Sequence, residues 1–245
     1  MLIISIRLAK LAAKPMEDAI EQERRFVANI SHDLKTPITV ILANNSILRS
    51  NRGLSDDERE QWFESTDTAA KNMMSLIGEM LTLSSLENAG KKLVMSSVNL
   101  SEAAQKASLQ LESLAFERSV TMDCDIEENV NIPGTREYVE RICGSLFENA
   151  LKYEPDGGRV RFTLKKERKR AVLTAANYGS VIAPEDMDHI FERFYRGDKA
   201  RDVKTGHGLG LPILKELIQT LGGEIEVTSS REEGTVFTLR FEAVS

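Results

Sequence analysis

The sequence predicts an α+β protein in which a helical hairpin precedes a mixed domain of helices and strands. Apolar residues recur at steps of three and four as far as about residue 89, as one face of a long helix requires. After Gly90, short stretches that alternate between apolar and polar residues lie between stretches of helical periodicity. The chain of 245 residues is also long enough for two cores of modest size.

The composition limits the classes of function open to the chain. Hydrophobic residues make up 41% and charged residues 29%, which is enough apolar matter for packed cores. The formal net charge of -6 gives no general attraction for nucleic acid, so we expect no nucleic-acid partner. The basic run KKERKR at residues 165–170 lies between two predicted strands, and we expect a solvated hairpin turn there.

The two cysteines, Cys124 and Cys143, lie among apolar neighbours and lack CxxC spacing. The sequence therefore predicts buried free thiols in a reducing compartment, and neither a disulfide nor a zinc site.

The first 14 residues form an apolar start interrupted by Arg7, Lys10 and Lys14. This stretch is too short to span a bilayer, which needs about 20 apolar residues. Basic residues after an apolar run are typical of the cytoplasmic end of a transmembrane helix, so residues 1–14 are interpreted as a juxtamembrane stub whose upstream part is missing from this sequence. An ordinary amphipathic start to the first helix explains the same residues.

The first long helix is predicted from Pro15 onward, with one buried apolar stripe. His32 is two residues from both Ile30 and Leu34, so at about 100° per residue its imidazole faces away from the stripe. Thr36, four residues later, returns to the same outward face. The stripe consists of Val27, Ile30, Leu34, Ile38, Ile41 and Leu48.

The outward-facing His32 has neighbours that affect its chemistry. A neutral imidazole offers a nucleophilic nitrogen at cellular pH. Asp33 can accept a hydrogen bond from one ring nitrogen, which favours the tautomer whose other nitrogen carries the lone pair, or it can take a proton from the ring. Pro37 cannot donate to the carbonyl of Asp33, so we expect a kink one turn beyond the histidine. In isolation, such a histidine is more often an ordinary surface residue.

A short loop at residues 51–54 ends this helix, and Ser55 with Glu58 forms a capping box that begins the next. The two helices are therefore predicted to be antiparallel neighbours. Their apolar faces are too broad to be buried against each other alone, which favours a dimer with a four-helix bundle. The seam of the second helix consists of Trp62, Thr66, Ala69, Met73, Leu76, Met80 and Leu83, widened by Phe63, Ile77 and Leu81.

A break at residues 87–92 marks the predicted domain boundary, since Gly90 interrupts the helical pattern there. Beyond it, Asn99 and Glu102 form a second capping pair. The predicted helices then span Asn99–Glu117, Arg136–Lys152 and Leu209–Leu221, and the predicted strands span Val120–Ile126, Arg159–Leu164, Ala171–Ala176, Glu224–Thr228 and Thr235–Phe241.

Two further motifs suit phosphate chemistry. The sequence GHGLGL at residues 206–211 runs into a helix, and glycines with helix N-terminal amides bind phosphate. Its spacing fits neither a dinucleotide fingerprint nor a P-loop, so a glycine-rich turn explains it as well. Asn149 and Lys152 lie three residues apart on one helix face, where an amide oxygen suits Mg²⁺ and an ammonium suits phosphate. A solvent-facing pair is the alternative.

Four motifs resemble those of bacterial two-component sensor histidine kinases. SHDLKTP (31–37) matches the H box of that family, FENALKY (147–153) the N box, FERFYR (191–196) the F box and GHGLGL the second glycine box. Their order and distances are also those of the family. The resemblance implies a dimerisation and histidine-phosphotransfer domain at residues 15–89, a linker at 90–96, and an α/β sandwich of the Bergerat (GHKL) ATP-binding type at 97–245.

The resemblance implies ATP-dependent autophosphorylation of His32 and transfer of the phosphoryl group to an aspartate of a response regulator. Asp33 would be the general base, and Thr36 with Asp33 would position a water for phosphatase activity toward that regulator. Arg196 would bring positive charge to the γ-phosphate. The family also implies a homodimer on the cytoplasmic side of the bacterial plasma membrane, reached only through the missing upstream segment, with this fragment itself soluble.

For the nucleotide, the resemblance implies that Asn149 holds Mg²⁺, that Lys152 contacts phosphate and that Tyr153 lines the pocket. Phe191 would pack the mobile segment down. The remaining residues implied at the ATP site are Asn177, Gly179, Ile182, Gly206, Gly208, Leu209 and Gly210.

The first glycine box departs from the family pattern DxGxG, because NYGSV has Asn177 for the aspartate and Val181 for the second glycine. An asparagine carbonyl still accepts a hydrogen bond from the adenine amino group, but without charge. We expect affinity to fall by on the order of 1 kcal/mol. Ser145 and Thr135 also replace residues usual in the family.

Two other functions remain open from the sequence. A catalytically weak scaffold that dimerises and binds receiver domains is consistent with the altered first glycine box. An ATPase of the same superfamily, such as a chaperone or topoisomerase subunit, is disfavoured because it has no phosphoacceptor histidine.

Overall fold

The structure is a computed structural model that describes residues 2–51, 53–89, 93–197 and 206–244. The chain divides into two compact units, residues 1–80 and 81–245. Of the break predicted at residues 87–92, residues 87–89 still belong to a helix, and residues 90–92 lie outside the described residues. The domain bounds drawn from the sequence stay a prediction.

The first unit is built on helices α1 (Leu2–Ser50) and α2 (Asp56–Ala89), of which the second extends beyond it. The predicted capping box begins α2, since Glu58 N–H donates to Ser55 Oγ at 3.2 Å and Ser55 N–H donates to Glu58 Oε2 at 2.8 Å. Helix α1 continues through Pro37, and the kink expected there stays a prediction. Among the described helices, none is long and apolar enough to cross a membrane.

The seven seam positions predicted for α2, from Trp62 to Leu83, are confirmed as buried or half-buried. The three residues predicted to widen the seam, Phe63, Ile77 and Leu81, are exposed in the single chain. The stripe predicted for α1 is partly wrong, since Val27 is 57% exposed and Ile38 is 42% exposed. The other four residues of that stripe, Ile30, Leu34, Ile41 and Leu48, are half-buried as predicted. The inward face of α1 is broader than the stripe, because a heptad register with steps of four and three is also buried or half-buried. That register consists of Phe26, Ile30, Asp33, Pro37, Val40, Asn44 and Ile47.

Asn44 is the buried polar residue of this register, with 3% of its surface exposed. Its Nδ2 donates to Ser65 Oγ at 3.0 Å and to Thr66 Oγ1 at 3.2 Å, both on α2. A buried amide that finds its partners in only one alignment fixes the register of the two helices.

Beyond the end of α2, the second unit contains three helices and seven strands in its described residues. These elements are β1 (Ser96–Asn99), α3 (Leu100–Glu117), β2 (Thr121–Ile126), β3 (Asn131–Gly134), α4 (Arg136–Lys152), β4 (Arg159–Glu167), β5 (Arg170–Asn177), α5 (Gly210–Thr220), β6 (Glu224–Ser230) and β7 (Gly234–Glu242). Five strands form a sheet in the order β2-β4-β5-β7-β6, in which only the β2–β4 pair is parallel. A two-stranded antiparallel sheet pairs β1 with β3.

The core lies between one face of the large sheet and helices α3, α4 and α5. The rings of Phe147 on α4 and Phe162 on β4 stack across this layer at 3.9 Å between centroids. Asn99 caps α3 as predicted, since its side chain accepts the Glu102 N–H at 3.1 Å. The predicted α+β class with an α/β sandwich is confirmed. The pair β1–β3 was not predicted, because four-residue strands carry too few residues for a periodicity.

Two local predictions have different outcomes. The basic run forms the expected exposed hairpin, in which Arg168 and Lys169 make the turn between β4 and β5. Both cysteines are free thiols, but only Cys143 is buried. The burial predicted for Cys124 is wrong, because it lies on β2, the edge strand of the sheet.

Candidate active site

His32 lies on the outward face of α1, as predicted, with 81% of its side chain exposed. Its Nδ1 is 3.3 Å from Asp33 Oδ1. Because a carboxylate only accepts hydrogen bonds, this contact favours the neutral tautomer with the proton on Nδ1 and the lone pair on Nε2. Thr36 is exposed on the same face, and its hydroxyl donates to the carbonyl oxygen of His32 at 3.3 Å. The structure therefore brings the three predicted residues together.

The end of α4 carries Asn149, Lys152 and Tyr153, all half-buried. Thr135 is the N-cap of this helix, because its side chain accepts a hydrogen bond from the Tyr138 N–H at 3.3 Å. Lys152 Nζ lies 5.4 Å from the centre of the Tyr153 ring. Burial raises the pKa of Tyr153, and the positive charge of Arg196 opposes that rise. Arg196, from the predicted F box, is thus close to the end of α4.

The second glycine box packs against both the end of α4 and the F box. A Cβ on Gly206 would lie 2.6 Å from Lys152 Nζ. The Phe194 N–H donates to the carbonyl oxygen of Gly208 at 2.9 Å. Gly208 has a φ of 71°, and a Cβ there would lie 2.8 Å from the Phe194 backbone, so only glycine fits.

Two more of the predicted site residues, Leu209 and Phe191, pack at or against helix α5. Leu209 is fully buried directly before Gly210, the first residue of α5. The Phe191 ring lies 5.1 Å from Lys215 Nζ, which stands on α5. The F box therefore lies close to the middle of α5, the helix that follows the second glycine box.

The first glycine box begins at Asn177, the last residue of β5. Asn177 is 2% exposed, and its Nδ2 donates to Ser180 Oγ at 3.0 Å. The Ile182 N–H donates to Ser229 Oγ at 2.9 Å. A Cβ on Gly179 would lie 2.0 Å from Pro155 Cδ, so the loop approaches the end of α4 too closely for any larger residue.

Glu154 joins the end of α4 to this loop and was missed from the sequence. It is 3% exposed, and its carboxylate accepts the backbone N–H groups of Tyr178, Gly179 and Arg159 at 2.6, 2.8 and 3.0 Å. Arg118 donates to its carbonyl oxygen as well. The only signal in the sequence was the position of Glu154 directly after the N box, because its main-chain partners lie in other segments.

In the part of the chain that the structure describes, no three His, Cys, Asp or Glu side chains are grouped to hold a metal ion. Asn149, the predicted ligand, offers an amide oxygen from the same helix end as Lys152.

The fold and these geometries define a helical hairpin with an exposed histidine, followed by an α/β domain. Residues 22–89 match the family described as His Kinase A (phospho-acceptor) domain. Residues 134–245 match the family described as Histidine kinase-, DNA gyrase B-, and HSP90-like ATPase. The chain belongs to the two-component sensor histidine kinases, as the resemblance predicted.

Curated relatives include the sensor protein DltS of Streptococcus agalactiae, which is 30% identical over 230 residues, covering 94% of this chain and 57% of DltS. The sensor histidine kinase WalK of Bacillus subtilis is 31% identical over 234 residues, covering 91% of this chain and 37% of WalK. The chain therefore spans about half the length of these relatives or less.

Solved structures share the fold. The histidine kinase AdeS of Acinetobacter baumannii has a TM-score of 0.71 at 21% identity, covering 87% of this chain and 98% of AdeS. The histidine kinase ThkA, solved in complex with the response regulator protein TrrA, has a TM-score of 0.70 at 18% identity, covering 97% of this chain and 66% of the matched chain.

Proposed function

We propose that this chain is the catalytic core of a sensor histidine kinase, which transfers the γ-phosphoryl group of ATP to His32 and then to an aspartate of a response regulator. The observation that carries the proposal is the exposed His32 in contact with Asp33, on a phosphoacceptor hairpin that shares its chain with an ATPase-type domain.

The contact between His32 and Asp33 supports a defined kinase step. The lone pair on Nε2 attacks the γ-phosphorus, the bond from that phosphorus to the bridging oxygen breaks, and ADP leaves with its electrons. The ring then carries a positive charge, and Asp33 accepts the proton from Nδ1. In the phosphatase reaction, which removes the phosphoryl group from the regulator, Thr36 and Asp33 would orient a water toward the phosphoaspartate.

The second unit is proposed to hold ATP at the end of α4. Lys152 and Arg196 supply positive charge, while Tyr153, Ile182 and Leu209 line the site. Mg²⁺, held by Asn149 and the phosphates, would neutralise charge on the transferring group. The amide oxygen of Asn149 is a suitable ligand for Mg²⁺. The Lys152 ammonium, which lies beside Gly206, is suited to a phosphate group. The remaining backbone contacts would come from Gly179, Gly206, Gly208 and Gly210, with Phe191 packing the F box down.

The partner that we propose is the receiver domain of a response regulator. The solved complex of ThkA with TrrA, whose kinase shares this fold, supports it. The sensor relatives support association of the whole protein with a membrane, and we propose that this chain lies on the cytoplasmic face of the plasma membrane.

We also propose a homodimer. The hairpin of one chain leaves large apolar side chains exposed, and a second copy would cover them in a four-helix bundle. These residues are Val27, Ile38, Leu42, Phe63, Ile77 and Leu81.

The altered Asn177 favours one competing function, a scaffold that dimerises and binds receivers without catalysis. Incubation with γ-labelled ATP and Mg²⁺ separates the two. The kinase proposal predicts acid-labile label on the chain and none on H32Q. The absence of label on the unmodified chain, or label that survives H32Q, would refute it. Steady ATP hydrolysis without label would instead favour an ATPase, which the phosphoacceptor match at residues 22–89 disfavours.

A further inference from the structure

Arg196 stands at the end of a segment of turns that begins shortly before Asp186. The N–H groups of His189 and Ile190 donate to the Asp186 carbonyl oxygen at 2.9 and 3.1 Å. Residues 184–191 form consecutive turns and not a regular helix. Turns lack the long series of backbone hydrogen bonds that holds a helix, so contacts between their side chains contribute more to fixing them.

The Asp186 carboxylate contacts both chain neighbours of Arg196. Its Oδ1 accepts a hydrogen bond from the Tyr195 hydroxyl at 2.5 Å. Its Oδ2 lies so close to Gly197 that a Cβ on that glycine would collide with it. Because a carboxylate only accepts hydrogen bonds, the Tyr195 hydroxyl is the donor, and such a charge-assisted bond is stronger than one between neutral groups. Asp186 therefore holds the chain directly before and directly after Arg196.

Two further contacts fix Tyr195 in this arrangement. Its ring lies 5.3 Å from the His189 ring, measured between centroids. Its carbonyl oxygen would lie 2.8 Å from a Cβ on Gly208, so the backbone that leads into Arg196 packs against the second glycine box. The bond to Asp186 thus completes the support of a tyrosine whose ring and backbone are already in contact with other residues.

We propose that Asp186 is a positioning residue for autophosphorylation, which sets the place of the Arg196 guanidinium through Tyr195 and Gly197. The inference rests on the role proposed above for Arg196, which is to bring positive charge to the γ-phosphate. A long side chain stabilises the transition state only from the right place, since a misplacement of about 1 Å can lower a rate about a hundredfold. Asp186 acts through the neighbours of Arg196 and has no contact of its own with the nucleotide.

The expected effect falls on the phosphoryl transfer and not on nucleotide binding in general. Asp186→Ala removes the acceptor of the Tyr195 hydroxyl and should slow autophosphorylation about tenfold at saturating ATP. ADP lacks the γ-phosphate, so a residue that acts through Arg196 on that phosphate should leave the ADP affinity unchanged. A general loss of structure in the second unit would lower the ADP affinity as well.

Single-turnover autophosphorylation of the full chain with γ-labelled ATP and Mg²⁺, together with isothermal titration of ADP, tests the proposal. D186N keeps an oxygen acceptor and should restore most of the rate. Y195F removes the donor and should lose as much as D186A, and the double variant should be no slower than either single variant. Glu185→Ala, which removes the exposed acidic residue next to Asp186, is the matched control and should keep the rate of the unmodified chain.

The background R196A decides whether Asp186 acts through Arg196. R196A alone should slow the reaction about tenfold or more, and adding D186A should have no further effect, because the guanidinium that Asp186 positions is gone. A further tenfold loss in that background would overturn the role of Asp186. An unchanged rate in D186A beside a slow R196A, or an equal fall of rate and ADP affinity in D186A, would overturn it too, and each of these results leaves the kinase proposal intact.

Should D186A fail to fold, Y195F decides in its place, because it removes the same hydrogen bond from the other end. An unchanged rate in R196A overturns the role of Arg196 and that of Asp186 with it. A folded, unmodified chain that takes no label from ATP overturns the kinase proposal itself.

Discussion

Loss of the buried Glu154 carboxylate should destabilise the second unit and loosen the first glycine box. Three backbone N–H groups donate to this carboxylate at 2.6 to 3.0 Å, from Arg159, Tyr178 and Gly179. A hydrogen bond to a charged group contributes about 1.5 to 3 kcal/mol, and water replaces part of that where the loop is open. We expect Glu154→Gln, which keeps one accepting oxygen, to cost about 2 kcal/mol and Glu154→Ala about 4 kcal/mol.

The assay can follow the second unit alone. All four tyrosines lie in residues 81–245, and the single Trp62 lies in the first unit. Urea unfolding monitored by tyrosine near-ultraviolet circular dichroism should therefore shift to lower urea in both variants. Hydrogen exchange at the Tyr178 and Gly179 amides should also accelerate. Glu148→Gln, an exposed change on α4 shortly before Glu154, is the control, and a shift no larger than this control would refute the reasoning.

Three further predictions concern other parts of the chain. Burial raises the pKa of Cys143 to about 12, so at pH 8 a thiol reagent should label only Cys124, and C124S should abolish labelling; mass spectrometry of the native protein checks this. Asn44→Ala, which leaves the partners on α2 without their donor, should destabilise the hairpin by about 2 kcal/mol in urea unfolding followed by Trp62 fluorescence, whereas an unchanged midpoint would contradict its role. Gly208→Ala, with a Cβ 2.8 Å from the Phe194 backbone, should reduce autophosphorylation by tenfold or more, and Gly78→Ala, whose Cβ meets nothing within 4 Å, should not.

Local signals predicted most elements of the fold. Helix α4 has the predicted bounds Arg136–Lys152, because its apolar spacing and the cap at Thr135 are encoded within the helix. Capping pairs at Ser55 and at Asn99 were predicted for the same reason. The motif residues at the end of α4 and in the second glycine box are also close in space, since Lys152 contacts Gly206.

The features that the sequence did not predict depend on contacts between segments that are distant along the chain. Glu154 is held by amides 24 and 25 residues further along the chain, which no local pattern predicts. Asn44 was missed because the predicted stripe contained only apolar residues, although the heptad that includes Pro37 and Val40 places Asn44 inside. Exposure of Cys124 depends on the position of β2 at the sheet edge, which is a property of topology.

The position of the phosphoryl group on the ring of His32 tests the central claim most directly. The contact between Nδ1 and Asp33 favours Nε2 as the nucleophile. After reaction with ATP and Mg²⁺, we expect phosphorus nuclear magnetic resonance and peptide mapping to show one phosphohistidine, at His32, with phosphorus bonded to Nε2. Phosphorus bonded to Nδ1, or phosphorylation of any other residue in its place, would contradict the account.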